Sequence, residues 1–143
     1  MAVVEPPRAQ ADTRSGKERI LVVDDNDDAA ELLALMLKEA GYQTTTVYDG
    51  PAALEAAQAQ TPQIVILDIG LPGMSGYEVA ARLREDARFA DVALIALTGW
   101  GTPEDQRKAL AAGFDVHLTK PVAAEDLHAA LRRARVLRPS ANG

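Results

Sequence analysis

The chain has 143 residues, 48% hydrophobic and 25% charged, which is the size and composition of one globular domain. Its 15 basic and 21 acidic residues give a net charge of −6, so charge alone does not favour binding to nucleic acid or to an anionic membrane. The absence of cysteine excludes a disulfide framework and a thiolate metal site, and no apolar run approaches the roughly 18 residues of a membrane-spanning helix.

Short apolar runs alternate with helical patterns along the chain. Five runs predict β-strands, at residues 20–23, 44–48, 64–67, 92–97 and 114–118. Five patterns predict helices, at residues 29–40, 51–60, from 75 onward, 102–113 and 127–134. The first helical pattern contains one apolar stripe through Leu32, Leu33 and Met36, which predicts the face that packs on the sheet.

The strict alternation of five strands and five helices predicts an α/β fold of (βα)5 type, with a parallel sheet and helices on both faces. The second and fifth runs are half-polar, so we expect them to form the edge strands. Residues 1–18 and 138–143 are predicted to be terminal tails on either side of a domain formed by residues 19–137.

Polar residues follow the predicted strands at the point where each strand ends. Asp24 and Asp25 follow the first strand, Asp68 the third, Thr98 the fourth and Lys120 the fifth. Ligands of open α/β sheets bind at the carboxyl ends of the strands, so we expect these side chains to lie together. Three clustered carboxylates must be protonated, paired with a cation or bound to a metal, and oxygen ligands without His or Cys favour Mg²⁺. A carboxylate beside Mg²⁺, a lysine and a hydroxyl suits an aspartyl-phosphate nucleophile.

The alternative explanation is that Asp24, Asp25 and Asp27 only cap the first helix and that Lys120 is an ordinary surface lysine. It explains the aspartate pair poorly, because one cap residue suffices. It also leaves Asp68 unexplained, because the next helix begins only near Ser75.

Four segments, in this order, resemble the receiver domain of two-component response regulators: ILVVDDN at 20–26, LDIGLPGMSG at 67–76, ALTG at 96–99 and KP at 120–121. The resemblance covers roughly residues 18–137. It implies a flavodoxin-like (βα)5 three-layer sandwich whose parallel sheet has the strand order 2-1-3-4-5.

The resemblance also implies the role of each site residue. Asp68 would accept a phosphoryl group from the phosphohistidine of a sensor histidine kinase or a histidine phosphotransfer protein. Asp24, Asp25, Asp68 and the backbone carbonyl of Gly70 would hold Mg²⁺. Lys120, preceding Pro121 through a cis peptide bond, would pair with the phosphoryl oxygens, and Thr98 would move to hydrogen-bond one of them.

Three residues stand at positions that vary within the family. His117 stands where the family usually has a Tyr or Phe as its switch residue. We expect the His117 side chain to move together with Thr98 and to make this movement sensitive to pH. The alternative is a histidine whose hydrogen bonds are satisfied, or one that faces solvent, without a role in the switch. Gly70 and Trp100 occupy the positions that tune the lifetime of the phosphoryl group, which predicts slow autodephosphorylation; the alternative is that Trp100 only packs on its loop.

The resemblance implies a cytoplasmic signalling protein and not an enzyme, in which phosphorylation shifts a two-state equilibrium and changes binding to a downstream protein. No direct contact with nucleic acid and no membrane insertion are expected. A stand-alone regulator, a phosphorelay shuttle, a receiver fragment of a hybrid sensor kinase and a non-phosphorylated docking module stay open. A haloacid-dehalogenase-type phosphatase fits less well, because Asp24-Asp25-Asn26 after the first strand lacks the D-x-D spacing of that family. A flavodoxin and a dinucleotide-binding protein also fit less well, because a Gly-rich phosphate loop after the first strand and a G-x-G-x-x-G motif are missing.

Overall fold

The computed structural model describes residues 18–99 and 101–139. The strands are β1 (Arg19–Val23), β2 (Gln43–Val47), β3 (Ile64–Asp68), β4 (Ala93–Thr98) and β5 (Val116–Thr119). The helices are α1 (Asp27–Glu39), α2 (Gly50–Ala59), α3 (Gly76–Glu85), α4 (Pro103–Ala112) and α5 (Ala124–Leu137), with a 3₁₀ turn at Ala87–Phe89. Trp100 and most residues of the two predicted tails, 1–17 and 140–143, lie outside the described residues.

The five strands form one parallel sheet in the order β2-β1-β3-β4-β5, which confirms the predicted topology. All residues of β3 and β4 are buried, as expected for strands covered by helices on both faces. The half-polar strands β2 and β5 lie at the two edges, also as predicted. In the register of the central strands, Val23 of β1 pairs with Leu67 of β3, which brings the carboxyl ends of these strands level.

The core is divided into two layers by the sheet. Helices α1 and α5 pack on one face, where Leu33 and Leu131 lie among the buried residues. Helices α2, α3 and α4 pack on the other, where Ala53, Leu83 and Ala109 are buried. Within residues 18–99 and 101–139, no helix is both long enough and apolar enough to cross a bilayer.

The side chain that caps α1 is Asn26, whose Oδ1 accepts a hydrogen bond from the backbone N–H of Ala29 at 3.0 Å. Asp24 and Asp25 therefore do not cap α1, and the alternative explanation that these aspartates serve as its cap is wrong. Asp49, Ser75 and Thr102 cap α2, α3 and α4 in the same way.

Strand β5 begins at Val116, two residues later than the apolar run predicts. The backbone N–H of Phe114 donates to the carbonyl of Ala109 at 3.0 Å and so completes the end of α4. Gly113, with φ of +108°, provides the left-handed turn between the helix and this residue. Phe114 is buried in the core, so its apolar character reflects helix termination and packing and not strand pairing.

Arg84 on α3 joins several loops at the amino ends of the strands. Its guanidinium donates to the carbonyls of Gly113, Phe89 and Val92 at 3.0, 3.2 and 2.7 Å and to Asp115 Oδ2 at 2.9 Å. Asp115 in turn accepts the N–H of Leu94 at 2.9 Å and Nε of Arg138 at 3.0 Å. The part-buried ion pair of Arg84 and Asp115 therefore links α3, the start of β4, the approach to β5 and the end of α5.

Candidate functional site

Three carboxylates meet at the carboxyl ends of the central strands. Asp24 follows β1 directly and Asp68 is the last residue of β3, so the pairing of these strands places them side by side. One oxygen each of Asp24, Asp25 and Asp68 lies within 4.8 Å of the others. Asp24 and Asp68 are buried, whereas Asp25 faces solvent. The convergence expected from the sequence is thus present for all three.

Lys120 reaches the carboxylates from the edge of the sheet. It follows β5, two strands away from β3, which is about 10 Å at the usual strand spacing. Its backbone N–H donates to the carbonyl of Thr98 at 2.8 Å, and its Nζ lies 2.9 Å from Asp24 Oδ2 and 2.8 Å from Asp68 Oδ2. The peptide bond between Lys120 and Pro121 is cis, as the resemblance implies.

The charges of this cluster do not balance. Burial raises the pKa of Asp24, and this outweighs the lowering by the hydrogen bond from Asn26 and by the Lys120 ammonium. Burial lowers the pKa of Lys120, but hydrogen bonds to Asp68 and Asp24 outweigh this and leave it above its ordinary value. When Asp24, Asp25 and Asp68 are ionised, one ammonium leaves the cluster with a net charge of −2. One divalent cation neutralises that charge, and hard cations prefer carboxylate oxygens.

The carboxylate of Asp68 is held at both oxygens. Oδ1 accepts the backbone N–H of Gly70 at 2.8 Å, and Oδ2 accepts Nζ of Lys120 at 2.8 Å. The start of α3 packs directly on the end of β3, where a Cβ at Gly76 would lie 2.6 Å from the Cα of Ile69. Only glycine allows this approach, which keeps the loop that carries Gly70 close to the carboxylate.

Thr98 and His117 lie on the neighbouring strands β4 and β5. Thr98 is 2% exposed, and its Oγ1 accepts the backbone N–H of Gly101 at 3.3 Å. The ring of His117 lies against the same glycine, since a Cβ at Gly101 would be 3.3 Å from His117 Nε2. His117 Nε2 is also 3.4 Å from Thr119 Oγ1. Gly101 therefore links the predicted switch residues physically, while Trp100 lies outside the described part of the chain.

An apolar groove beside the carboxylates was not anticipated from the sequence. It encloses about 360 Å³ between α1 and the segment after β5, and its walls include Leu32, Met36 and Val122 together with Asp24 and Lys120. Leu32 is 60% exposed, although the apolar stripe predicts that it packs on the sheet. The apolar stripe covers more of the surface of α1 than the face that is buried against the sheet. The exposed part of this stripe is the sequence feature from which a groove could have been predicted.

Comparison with known proteins identifies the family. The family model described as the response regulator receiver domain matches residues 20–132. The probable transcriptional regulatory protein TcrX of Mycobacterium tuberculosis is 40% identical over 121 residues, which cover 82% of this chain but 51% of TcrX. The chain thus spans about half the length of TcrX.

Solved structures give the same result. The chemotaxis protein CheY4 of Vibrio cholerae superposes with a TM-score of 0.80 at 29% identity, covering 83% of this chain and 99% of CheY4. The receiver domain of the sensor histidine kinase PA1611 of Pseudomonas aeruginosa, solved with a magnesium ion coordinated in its active-site cleft, has a TM-score of 0.76 at 30% identity. That match covers 87% of this chain and 100% of the PA1611 domain. With the family model matching most of its length, the chain belongs to the response regulator receiver domains of two-component signalling.

Proposed function

We propose that this receiver domain accepts a phosphoryl group on Asp68 and that phosphorylation switches its binding to a partner protein. The observation that carries the proposal is the fixed carboxylate of Asp68, held by the N–H of Gly70 and by Lys120, inside a cluster of three carboxylates. A carboxylate oriented in this way, next to a cation that receives developing negative charge, suits in-line phosphoryl transfer.

In the proposed step, an oxygen of Asp68 attacks the phosphorus of a phosphohistidine. A P–O bond forms and the P–N bond breaks, and the bonding electron pair leaves with the imidazole nitrogen, which then takes up a proton. Lys120 shifts from pairing with the free carboxylate to pairing with phosphoryl oxygens, and the hydroxyl of Thr98 donates to one of them.

The donor set of the cluster fits Mg²⁺. Asp24, Asp25 and Asp68 offer hard oxygen ligands, and the proposed fourth ligand from the protein is the backbone carbonyl of Gly70. The ion would supply charge neutralisation for the incoming phosphoryl oxygens. The magnesium ion in the cleft of the PA1611 receiver domain supports this assignment by similarity.

The phosphodonor in this proposal is a sensor histidine kinase or a histidine phosphotransfer protein in the cytoplasm. The groove lined by Leu32, Met36 and Val122 opens beside Asp24 and Lys120, so a donor helix seated there brings its histidine to the acceptor. A profile of phosphotransfer against the host's kinases and phosphotransfer proteins separates a stand-alone regulator from a relay shuttle or a receiver of a hybrid kinase. We propose that the phosphorylated domain acts by binding a downstream protein, without direct contact with nucleic acid.

The proposal is tested by labelling the full chain with phosphoramidate, a small phosphodonor, in the presence of Mg²⁺ or of EDTA. We expect one phosphoryl group per chain with Mg²⁺ and at least about a tenfold lower initial rate with EDTA, because the net charge of the cluster then repels the donor. Peptide mapping by mass spectrometry should place the label on Asp68, and hydroxylamine should remove it, as it does any acyl phosphate. Absence of a Mg²⁺-dependent label, or a label on another residue, would contradict the proposal and favour a docking module that is not phosphorylated.

His117 is proposed to respond to the phosphorylation state through Gly101. The N–H of Gly101 donates to Thr98 Oγ1, and a Cβ at Gly101 would lie 3.3 Å from His117 Nε2, so a movement of Thr98 toward the phosphoryl group would change the surroundings of the ring. We expect the imidazole NMR signals of His117 to change when beryllofluoride and Mg²⁺ are added. His128, exposed on α5, is the internal control and should keep its signals. Unchanged His117 signals would show that this histidine is not part of the switch.

A further inference from the structure

A second cavity opens at the amino ends of the strands, on the opposite side of the molecule from the carboxylates. It encloses about 220 Å³ and is bounded by the start of β1, the segment before β3, the approach to β4 and the last turn of α5. Ile64 lies in its lining, and Asp68 is four residues further along β3, or about 13 Å. The cavity is therefore separate from the proposed phosphorylation site.

Guanidinium groups dominate the lining of this cavity. Its four basic residues are Arg19, Arg88, Arg135 and Arg138, in a chain whose net charge is −6. The carboxylates of the lining belong to Glu18 and Asp91. Three of the arginines are ion-paired, Arg88 with Asp86, Arg135 with Glu18 and Arg138 with Asp115, so Arg19 is the lining arginine without a carboxylate partner among the described residues. A cluster of arginines is unexpected in a chain with a negative net charge. It indicates that these residues have a role at this cavity.

The guanidinium groups are held in place but retain donors. Nε and Nη2 of Arg19 both donate to the carbonyl of Thr61, at 3.2 and 2.6 Å, and within residues 18–99 and 101–139 no carboxylate pairs with Arg19. Nε of Arg138 donates to Asp115 at 3.0 Å and Nη1 to the carbonyl of Ala90 at 3.0 Å. A guanidinium has five N–H donors, so each of these side chains can bind a further acceptor.

The floor of the cavity is apolar. It contains Ile64, Val92, Ala93 and Ala134, each at most 4% exposed. An apolar floor below a rim of guanidinium groups suits a molecule with an anionic end and an apolar body, because the planar fork of arginine matches the oxygens of phosphate and carboxylate. The volume is below the range of about 300–1,000 Å³ usual for drug-sized ligands, which indicates a small molecule.

We propose that this cavity binds a small organic anion, whose phosphate or carboxylate group contacts the arginines while its apolar part lies on the floor. The proposal goes beyond phosphorylation of Asp68 and does not depend on it. Phosphate and carboxylate share the oxyanion chemistry that arginine recognises, and the experiment distinguishes them.

The test is an NMR titration of the ¹⁵N-labelled full chain with phenyl phosphate, benzoate and inorganic phosphate, at constant ionic strength and without Mg²⁺. We expect phenyl phosphate to shift the backbone amides of Gln63, Ile64 and Ala93, and to bind at least about fivefold more tightly than inorganic phosphate because its ring is buried. Tighter binding of phenyl phosphate than of benzoate identifies a phosphate site, and the reverse order identifies a carboxylate site. A concentration of about 10 mM is high enough to reveal weak binding. If none of the three anions shifts these amides at that concentration, the proposal is wrong.

Two pairs of arginine substitutions separate a built site from general charge attraction. R19Q/R88Q should weaken binding of phenyl phosphate at least about tenfold through lost charge-assisted hydrogen bonds. The matched control R82Q/R107Q removes the same charge from exposed positions on α3 and α4 outside the cavity and should bind like the parent chain. Equal weakening by both pairs overturns the proposal.

A substitution that removes a negative charge should tighten binding, and it tests the proposal even if the arginine variants fail to fold. Asp91 is exposed at the rim, and its charge repels an anion, so Asp91→Asn should tighten binding of phenyl phosphate at least about twofold. Unchanged or weaker binding by a folded D91N variant counts against the proposal.

Discussion

Asp68→Asn is expected to lower phosphoryl incorporation from phosphoramidate by at least about 100-fold, because an amide oxygen is a poor nucleophile. The structure indicates that the fold tolerates this change. The amide oxygen can still accept the N–H of Gly70, and Lys120 keeps its ion pair with Asp24 at 2.9 Å. The free energy of unfolding should therefore change by no more than about 1 kcal/mol, the usual value of one hydrogen bond. Mass spectrometry of the intact chain and urea unfolding measure the two effects.

The matched control for this substitution is Asp27→Asn. Asp27 begins α1 close to the same edge of the sheet, but it is exposed and is not one of the three clustered carboxylates. This variant should be labelled at nearly the rate of the parent chain. If D68N is still labelled at more than a tenth of the parent rate while remaining folded, the acceptor is a different residue.

The approximate placement of the site residues followed from the sequence because topology determines it. Parallel strands end at one edge of the sheet, so residues that follow the first, third and fifth apolar runs must meet there. The structure brings Asp24, Asp68 and Lys120 to within hydrogen-bonding distance, although residues 24 and 120 are far apart in the chain. What the strand pattern could not provide was the pairing of one ammonium with both buried carboxylates, which depends on the reach of a side chain across two strands.

Features that depend on contacts between loops were not predictable from periodicity. The apolar run at 114–118 begins before β5 because Phe114 is buried while its backbone completes α4. The cap of α1 is Asn26, because helix geometry and not residue preference decides which of several cap-forming side chains faces the free N–H groups. The arginines around the second cavity come from three separate segments of the chain, and no local pattern relates these segments.

The contacts of Arg84 have a large expected effect on stability, since a charge and several carbonyls share one buried site. Burial lowers the pKa of the Arg84 guanidinium, opposed by Asp115, and arginine stays charged throughout the accessible pH range. The side chains of Arg84 and Asp115 are 16% and 9% exposed. Removing the guanidinium takes a donor from the carbonyls of Gly113, Phe89 and Val92 and one from Asp115, which keeps the N–H of Leu94 and Nε of Arg138. Unpaired buried polar groups, and not the lost attraction alone, make such a change costly.

Arg84→Met should therefore lower the free energy of unfolding by about 2–3 kcal/mol, because part-buried carbonyls lose their charged donor while Asp115 keeps Arg138. Urea or thermal unfolding measures this value. Arg82→Met is the matched control on the same helix: Arg82 pairs with Glu78 at 3.5 Å, both side chains are at least 50% exposed, and the cost should stay within about 0.5 kcal/mol. The double variant R84M/D115N should lose less than the sum of the two single variants, because each single substitution breaks the same ion pair between Arg84 and Asp115 and the double variant loses it once. Additive losses, or a cost of R84M near that of R82M, would show that the guanidinium does not hold these loops together.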